Sequence, residues 1–181
     1  DSGVSAAKLE ELMFSDTKTS LTKQFNDCSR SQLNLVPASD SPVIEVDIYL
    51  DTLSTLLHRN TMFNRVTDNA KIVLGVDNLS DFADLYIYAV PKMNGWIAYA
   101  YVGGFQSVYG GPWVTYLTTL MHEVGHNFGL YHSHKIVDGQ SKAYQDRSGA
   151  MGGAVWGAHT VEYGPKLCFN PASFGQLGWH S

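Results

Sequence analysis

The N-terminal part of the chain shows hydrophobic spacing typical of two short helices and then of two strands. Apolar residues near helical spacing in SAAKLEELMFSD, among them Leu9, Leu12 and Met13, predict a helix, and SLTKQFNDCSR favours a second short one. QLNLVPA and VIEVDIYL then alternate apolar with polar residues, as half-buried strands do.

The middle of the chain is richer in strand-forming residues. LSTLLHRNTMF suits a helix, whereas KIVLGVD and LYIYAVP suit strands. GWIAYAYVGG contains many aromatic and β-branched residues and ends at paired glycines. FQSVYGGP predicts one more short strand before a turn. The pattern therefore mixes helices and strands along the chain.

The strongest helical pattern runs from about Trp113 to Phe128. Its apolar stripe consists of Leu117, Leu120, Met121, Val124 and Phe128. At about 100° per residue, Thr119, His122 and His126 fall on nearly the opposite side. We therefore expect a helix that buries one face in a core and presents the other face to a polar group.

After His132 the sequence is rich in glycine and its periodicity is weak. This composition predicts loops that are held in place by a few large apolar side chains. The candidate anchors are Trp156, Phe169 and Trp179.

Composition and charge narrow the class of protein. The chain has 181 residues, of which 44% are hydrophobic and 12% aromatic, enough for one substantial core. A formal charge of −5 without a basic stripe does not favour a nucleic-acid partner. No apolar run reaches the roughly 18 residues of a membrane helix. Because the chain begins with Asp1 rather than Met, we expect that a leader or pro-segment has been removed.

The two cysteines, Cys28 and Cys168, are far apart in the sequence and allow two interpretations. They are either two buried free thiols or one long-range disulfide, and the disulfide is typical of a secreted protein.

Four of the 7 histidines lie in the stretch MHEVGHNFGLYHSH. His122 and His126 are four residues apart, so their imidazoles project from the same side of adjacent helical turns. Two nitrogens placed in this way can reach one ion at about 2.0–2.1 Å. Glu123 is turned away from the ion itself but lies close to a water bound there. The stretch therefore indicates a metal site with a base beside it.

Gly129 suits the end of this helix, because glycine adopts the left-handed conformation that reverses the chain. The reversal brings His132 back as a third ligand. Three neutral nitrogens leave one coordination position for water, which is typical of catalytic rather than structural zinc.

The extended pattern H-E-x-x-H-x-x-G-x-x-H is a specific signal. At ~1/20 for each fixed position, a chance match in a chain of this length falls well below ~1 in 1,000. His134 competes with His132 as a ligand, but its spacing from Gly129 is wrong, and we expect it at the surface or behind the ligands. The isolated histidines are interpreted as structural; they are His58, His159 and His180.

These motifs resemble those of a known family. HEVGHNFGLYH is the signature of the metzincin metallopeptidases, and DRSGAMGG is similar to their methionine turn, with Met151 as its methionine. Together with AYVGGFQSVY, YQDRSGAMGG and CFNPASFGQLGW, the chain resembles the gametolysin-like branch, extracellular proteases first known from the digestion of algal cell walls. The resemblance covers about Trp96 to Trp179 and is weak before that.

The resemblance implies an α+β, metzincin-like fold. In that fold a twisted mixed β-sheet and a long active-site helix form an N-terminal lobe, and a small irregular C-terminal lobe follows. Residues 1–181 would then form a single catalytic domain, with the upper lobe at 1–132 and the lower lobe, which contains the methionine turn, at 133–181.

The resemblance also implies a function, that of a secreted, monomeric zinc endopeptidase acting on extracellular, cell-wall or matrix proteins and glycoproteins. Zn²⁺ held by His122, His126 and His132 would acidify a water, and Glu123 would take its proton and hand it to the leaving amine. The alternative is an adhesion or binding module that holds zinc without turnover. Glu123 argues against this alternative, because a structural zinc site has no need of that carboxylate.

Supporting residues follow from the same comparison. Met151 would form an apolar floor beneath the metal, although an ordinary core methionine would pack in nearly the same way. Asp146 and Arg147 are either an internal brace behind the ligands or solvated charges. Membership of a secreted family favours the disulfide between Cys28 and Cys168.

The chain also departs from the family pattern. Related sequences often have tyrosine two residues after the turn methionine, where it assists the oxyanion, and this chain has Gly153 there. Tyr163 is a candidate substitute that the spacing does not support. The family fold normally opens with a strand before its first helix. We expect either that this strand is missing before Asp1 or that the opening residues fold differently from the predicted helix. We expect an extended peptide substrate to lie along a sheet edge formed by AYAYVGGFQS.

Overall fold

The computed structural model describes residues 2–48, 59–92, 95–153 and 167–179. Its α-helices are α1 (Ala6–Phe14), α2 (Leu21–Cys28), α3 (Arg59–Leu74), α4 (Leu117–Asn127) and α5 (Pro171–Leu177). Its strands are β1 (Tyr86–Val90), β2 (Ala98–Ala100), β3 (Gln106–Gly110), β4 (His134–Val137) and β5 (Gln140–Ala143), and short 3₁₀ helices span Leu79–Asp81 and Gly111–Thr115. The predicted α+β class is confirmed. No helix in these four segments is long and apolar enough to cross a membrane.

A three-stranded mixed sheet lies at the centre of the described structure, with strand order β1–β3–β2. β1 runs parallel to β3, with Tyr86 opposite Gln106, whereas β2 runs antiparallel, with Ala100 opposite Ser107. β2 is therefore an edge strand of this sheet, on the side of α4, the helix that contains His122 and His126.

Alternation along β3 separates two hydrophobic cores. Tyr109 points to one face of the sheet, where it packs with α1, α2 and α4. Val108 points to the other face, where it packs with Met62, Val66 and Ala70 of α3. The sheet therefore lies between α4 and α3, and α4 is held against the core by its own apolar stripe.

The two N-terminal helices form where the sequence predicts them, and serine caps explain where they begin. The side chain of Ser5 accepts a hydrogen bond from the backbone of Lys8, and that of Ser20 accepts one from Lys23. Each cap satisfies a backbone N–H that has no partner within its helix.

Three predictions of strands are wrong. QLNLVPA and the described part of VIEVDIYL, up to Ile48, form no strand, although Val46 and Ile48 pack against the α3 core. Alternation is preserved there, but no neighbouring backbone in the described residues pairs with the segment. KIVLGVD, predicted as a strand, instead begins within α3, which extends to Leu74. Met62, Val66 and Ala70, buried at four-residue spacing, hold this helix against the core. The start of LSTLLHRNTMF, residues 53–58, lies outside the described residues.

The helix that contains His122 and His126, α4, is shorter than its hydrophobic pattern. α4 begins at Leu117 rather than Trp113, because the 3₁₀ helix Gly111–Thr115 and the extended backbone of Tyr116 precede it. Every residue of α4 is buried, so its polar face is enclosed by other parts of the chain as well.

The glycine-rich C-terminal part contains more regular structure than predicted. β4 and β5 form a hairpin, and α5 follows residues that lie outside the described segments. Asp138 and Gly139 at the hairpin turn both have positive φ, 51° and 74°, which is the conformation of a type I′ turn. The Asp-Gly pair is a hairpin signal that periodicity alone does not register. Among the predicted anchors, Phe169 is buried and Trp179 packs against the core, and Trp156 lies outside the described residues.

A disulfide joins the N-terminal and C-terminal parts of the chain. Cys28, at the end of α2, is bonded to Cys168, just before α5, with their Cα atoms 5.4 Å apart. The backbone carbonyl of Cys168 accepts a hydrogen bond of 2.8 Å from Ala150. The disulfide therefore anchors the strand of backbone that supports Met151. The division into lobes at residue 132 stays a prediction.

Gly152 offers a test of how tightly this turn is packed. A methyl group on Gly152 would lie 1.6 Å from the backbone oxygen of Asp146, whereas one on Gly175 in α5 would meet nothing within 4 Å. We expect Gly152→Ala to lower the free energy of unfolding by about 3 kcal/mol or more, because backbone must move. Gly175→Ala should be neutral or stabilise by up to about 1 kcal/mol, since it adds helix propensity. Denaturant unfolding measures the free energy of unfolding of both variants. An equal loss of stability in the two would contradict the packing described for Gly152.

Candidate metal centre

Three imidazoles meet at the C-terminal end of α4. His122 and His126 lie one turn apart on this helix. Gly129, with φ of 88°, reverses the chain after the helix and returns His132 to the same place. One ring nitrogen from each histidine lies within 4.8 Å of the other two. The sequence pattern therefore brings all three predicted ligands together.

Backbone carbonyls orient two of these rings. Nδ1 of His122 lies 2.8 Å from the carbonyl oxygen of Ala150, and Nδ1 of His126 lies 2.7 Å from that of Leu130. A carbonyl only accepts, so each Nδ1 carries the proton and each Nε2 keeps its lone pair. Partners of this kind fix the tautomer and the orientation of a metal ligand.

The third ring is held differently. Nε2 of His132 lies 3.0 Å from Nε2 of His126, but within the described segments no carbonyl faces Nδ1 of His132. The ring of Tyr144 packs against it instead, with centroids 3.9 Å apart. Tyr144 also lies 6.1 Å from the ring of His122, nearly parallel to it. Packing against Tyr144 therefore restricts the orientation of the His132 ring, which has no carbonyl partner in the described segments.

Tyr144 is a site residue that sequence reasoning missed. Its backbone has a positive φ of 64°, an uncommon conformation for a bulky side chain. A hydrogen bond of 2.7 Å from the N–H of Gly153 to its carbonyl helps to hold it there. Gly153 therefore helps to position Tyr144. It does so from the sequence position at which related sequences often have a tyrosine of their own. No motif surrounds Tyr144, and Tyr163, the candidate named from sequence, lies outside the described residues.

Glu123 is enclosed between α4 and the edge strand. It is only 3% exposed, and its carboxylate accepts a hydrogen bond from the backbone N–H of Ala100 in β2. Burial raises the pKa of Glu123 to about 8, because a charged carboxylate is poorly solvated there. Without a cation nearby, such a group is mostly protonated at pH 7. A metal ion held by the three histidines would lower this pKa and favour the carboxylate form, which can accept a proton.

Burial has the opposite effect on the imidazoles. Burial, together with the neighbouring rings of His126 and His132, lowers the pKa of His122 to about 4. It also lowers the pKa of His132 to about 4 and that of His126 below its ordinary value. All three rings are therefore neutral at pH 7, with lone pairs available to a cation.

This donor set fits a divalent transition metal. Imidazole nitrogen suits zinc, copper, iron and nickel, and three histidines with a free coordination position are a common catalytic zinc arrangement. Tetrahedral bonds of about 2.0–2.1 Å separate such nitrogens by roughly 3.3 Å, so these rings need to move little to hold one ion.

Met151 lies directly beneath α4. It is fully buried, and a methyl group on Gly125 would lie 2.6 Å from its sulfur. Gly125, between the two helical histidines, therefore allows the methionine to approach the helix backbone. The contact explains why glycine occupies this position of the motif, and the role of Met151 as an apolar floor beneath the metal stays a prediction.

Asp146 and Arg147 occupy different surroundings. One oxygen of Asp146 accepts hydrogen bonds from the backbone and hydroxyl of Ser148, and the other accepts one of 2.9 Å from Asn170. Asp146 therefore braces the turn before Met151, whereas Arg147 is exposed. His134 is also exposed and bonds Ser141, away from the three convergent nitrogens.

Comparison with known families places these residues in context. Residues 2–181 match the gametolysin peptidase M11 family, so the match extends well before the region in which the motifs resemble it. Neither the search of curated proteins nor the search of solved structures gave a significant match. A match over nearly the whole chain, with the three histidines convergent in the structure, shows that this protein is a metallopeptidase belonging to the gametolysin family.

Proposed function

We propose that this metallopeptidase is a zinc-dependent endopeptidase of the metzincin type. The observation that carries the proposal is the convergence of three neutral imidazoles beside the buried carboxylate of Glu123. His122, His126 and His132 would hold the ion. When bound, Zn²⁺ supplies Lewis acidity and lowers the pKa of water.

Glu123 acts as the proton carrier of the reaction. The carboxylate takes a proton from the attacking water and later passes it to the amine that leaves. Its hydrogen bond from Ala100 fixes one carboxylate oxygen relative to the edge strand. The base is thereby held in register with any substrate that lies along that strand.

The substrate binds as an extended peptide along β2. This strand is bonded to β3 on one side only among the described residues, so its other edge can add a strand through main-chain hydrogen bonds. The loop after β2 is fixed to α4, because Gly103 donates a bond of 2.8 Å to the carbonyl of His126 and Asn127 bonds the carbonyl of Gln106. The rim predicted from AYAYVGGFQS is therefore adjacent to the base and the ligands.

The proposed setting is extracellular, with proteins or glycoproteins of cell walls or matrices as substrates. The disulfide supports secretion, because such bonds persist in oxidising compartments. The substrate class rests on the resemblance to gametolysin-like proteases.

Replacement of the base separates binding of metal from catalysis. We expect Glu123→Gln, which preserves shape, to keep the metal and to lower kcat at least about a hundredfold on a generic protein substrate. His126→Ala should instead lose metal, because it removes a ligand. Elemental analysis and cleavage assays on both variants provide the measurement, and a Glu123→Gln enzyme with wild-type kcat would remove Glu123 from the mechanism.

Acid tests the ligand set. Metal binding requires neutral imidazoles, and burial lowers their pKa well below 6.5, so protons compete with the metal only in stronger acid. We expect metal to stay bound at pH 6.5 and to be released as the pH falls toward about 4. Dialysis at stepped pH followed by elemental analysis measures this release. Release that begins above pH 7 would show that other groups hold the ion.

Tyr144 tests how the third ligand is positioned. Tyr144→Phe keeps the ring that packs on His132, whereas Tyr144→Ala removes it. We expect Tyr144→Ala to weaken zinc affinity by about tenfold or more and Tyr144→Phe to stay close to wild type, since groups that orient ligands typically contribute 10–100-fold. Competition with a chromophoric chelator gives both affinities. Equal affinities for Ala and Phe would show that the ring does not orient His132.

A further inference from the structure

The β4–β5 hairpin places like charges face to face beside the metal centre. Lys135 in β4 is directly opposite Lys142 in β5 in the antiparallel ladder. Side chains of such a pair project from the same face of the hairpin, and like charges in this arrangement repel each other. A bound anion would remove this repulsion.

A shallow open cleft lies against the hairpin, and a third cation contributes to it. Its walls are formed by His134, Lys135, Ile136, Gln145, Asp146, Arg147 and Ser148. Within the described segments, no carboxylate oxygen lies within 4.0 Å of the charged nitrogens of Lys135, Lys142 or Arg147. None of the three therefore forms a direct ion pair there, although Lys135 is close enough to Asp146 to lower the pKa of its carboxyl group.

Two carboxylates oppose this positive charge and offset only part of it. Asp146 faces the same cleft and stays charged, because hydrogen bonds from Ser148 and Asn170, together with the nearby charge of Lys135, lower the pKa of its carboxyl group. It therefore offsets one of the two cations in the cleft walls, Lys135 and Arg147. Asp138 is at the hairpin tip, three residues from Lys135 along the strand, or roughly 10 Å at about 3.4 Å per residue. That exceeds the Debye length of about 8 Å at physiological ionic strength. The cleft thus keeps a positive excess in a chain whose formal charge is −5.

Two segments of backbone connect the cleft directly to residues of the metal centre. β4 begins at His134, two residues after the ligand His132. On the other wall, Gln145 follows Tyr144, whose ring packs on the same ligand. A peptide held at the metal would therefore pass within a few residues of this cleft.

We propose that the cleft is a specificity subsite that binds the carboxylate of an aspartate or glutamate close to the scissile bond. Lys135 and Arg147 supply the opposing charges, and Gln145 supplies an uncharged polar wall. The inference rests on the proposed endopeptidase function, because it assumes a peptide held beside the metal. It adds to that function a preference for acidic substrates, which the acidic chain as a whole would repel.

The experiment measures binding and cleavage separately. Fluorescent peptides carry a single glutamate at successive positions on either side of the scissile bond, and matched peptides carry glutamine instead. Binding is measured on zinc-loaded Glu123→Gln protein, so turnover is not required. We expect glutamate at one or two positions to bind about fivefold tighter than glutamine, equivalent to about 1 kcal/mol, with the difference shrinking at high salt.

Charge reversal supplies the decisive comparison. In the same protein, Lys135→Glu with Arg147→Glu should invert the preference, whereas Lys71→Glu, on α3 across the sheet, should leave it unchanged. Equal binding of glutamate and glutamine peptides at every position would overturn the subsite, as would a preference that survives the reversal. Cleavage of the same peptides by the wild-type enzyme is measured separately. If the peptides bind with the expected preference but are not cleaved, the result contradicts the endopeptidase function and supports the subsite.

Discussion

The hydrogen bond between His122 and the carbonyl of Ala150, 2.8 Å long, joins the two parts of the chain on which the metal centre depends. His122 belongs to α4, which is buried between the sheet and the N-terminal helices. Ala150 belongs to the turn that carries Met151, and its own N–H is held by Cys168. Through the disulfide, Cys168 is tied back to α2. A ring of covalent and hydrogen bonds therefore fixes the orientation of a ligand that its helix alone leaves free to rotate.

Burial gives this centre its electrostatic character. The same low solvation keeps the imidazoles neutral and raises the pKa of Glu123, so one environment acts on both the proposed ligands and the proposed base. The two effects require a tightly packed site, and glycines make that packing feasible. Side chains at Gly125 and Gly152 would collide with Met151 and with the backbone of Asp146. The motif therefore specifies small residues where the turn and the helix approach each other, as well as the groups that perform the chemistry.

Charge at the periphery has a different role from charge in the centre. His122, His126 and Glu123 of the centre are buried, whereas Lys135 and Lys142 of the β4–β5 hairpin are exposed and form no salt bridge within 4.0 Å in the described structure. Exposed charges contribute little to stability because water and salt screen them. In the proposed subsite these exposed charges would act on the substrate instead, and the hairpin with its type I′ turn holds Lys135 and Lys142 opposite each other.

The sequence by itself predicted the three convergent histidines and the neighbouring carboxylate, because the spacing in H-E-x-x-H-x-x-G-x-x-H depends only on helical geometry and on one glycine turn. The resemblance of several motifs indicated the family to which the chain belongs. The sequence also predicted α1, α2, the three central strands and the buried stripe of α4, all of which follow from local periodicity. Only the tertiary structure decided which carbonyls orient the rings, that Tyr144 packs on His132, and that VIEVDIYL up to Ile48 pairs with no strand. These outcomes depend on which distant segments meet, and local spacing carries no record of a contact between residues such as Cys28 and Cys168, 140 positions apart.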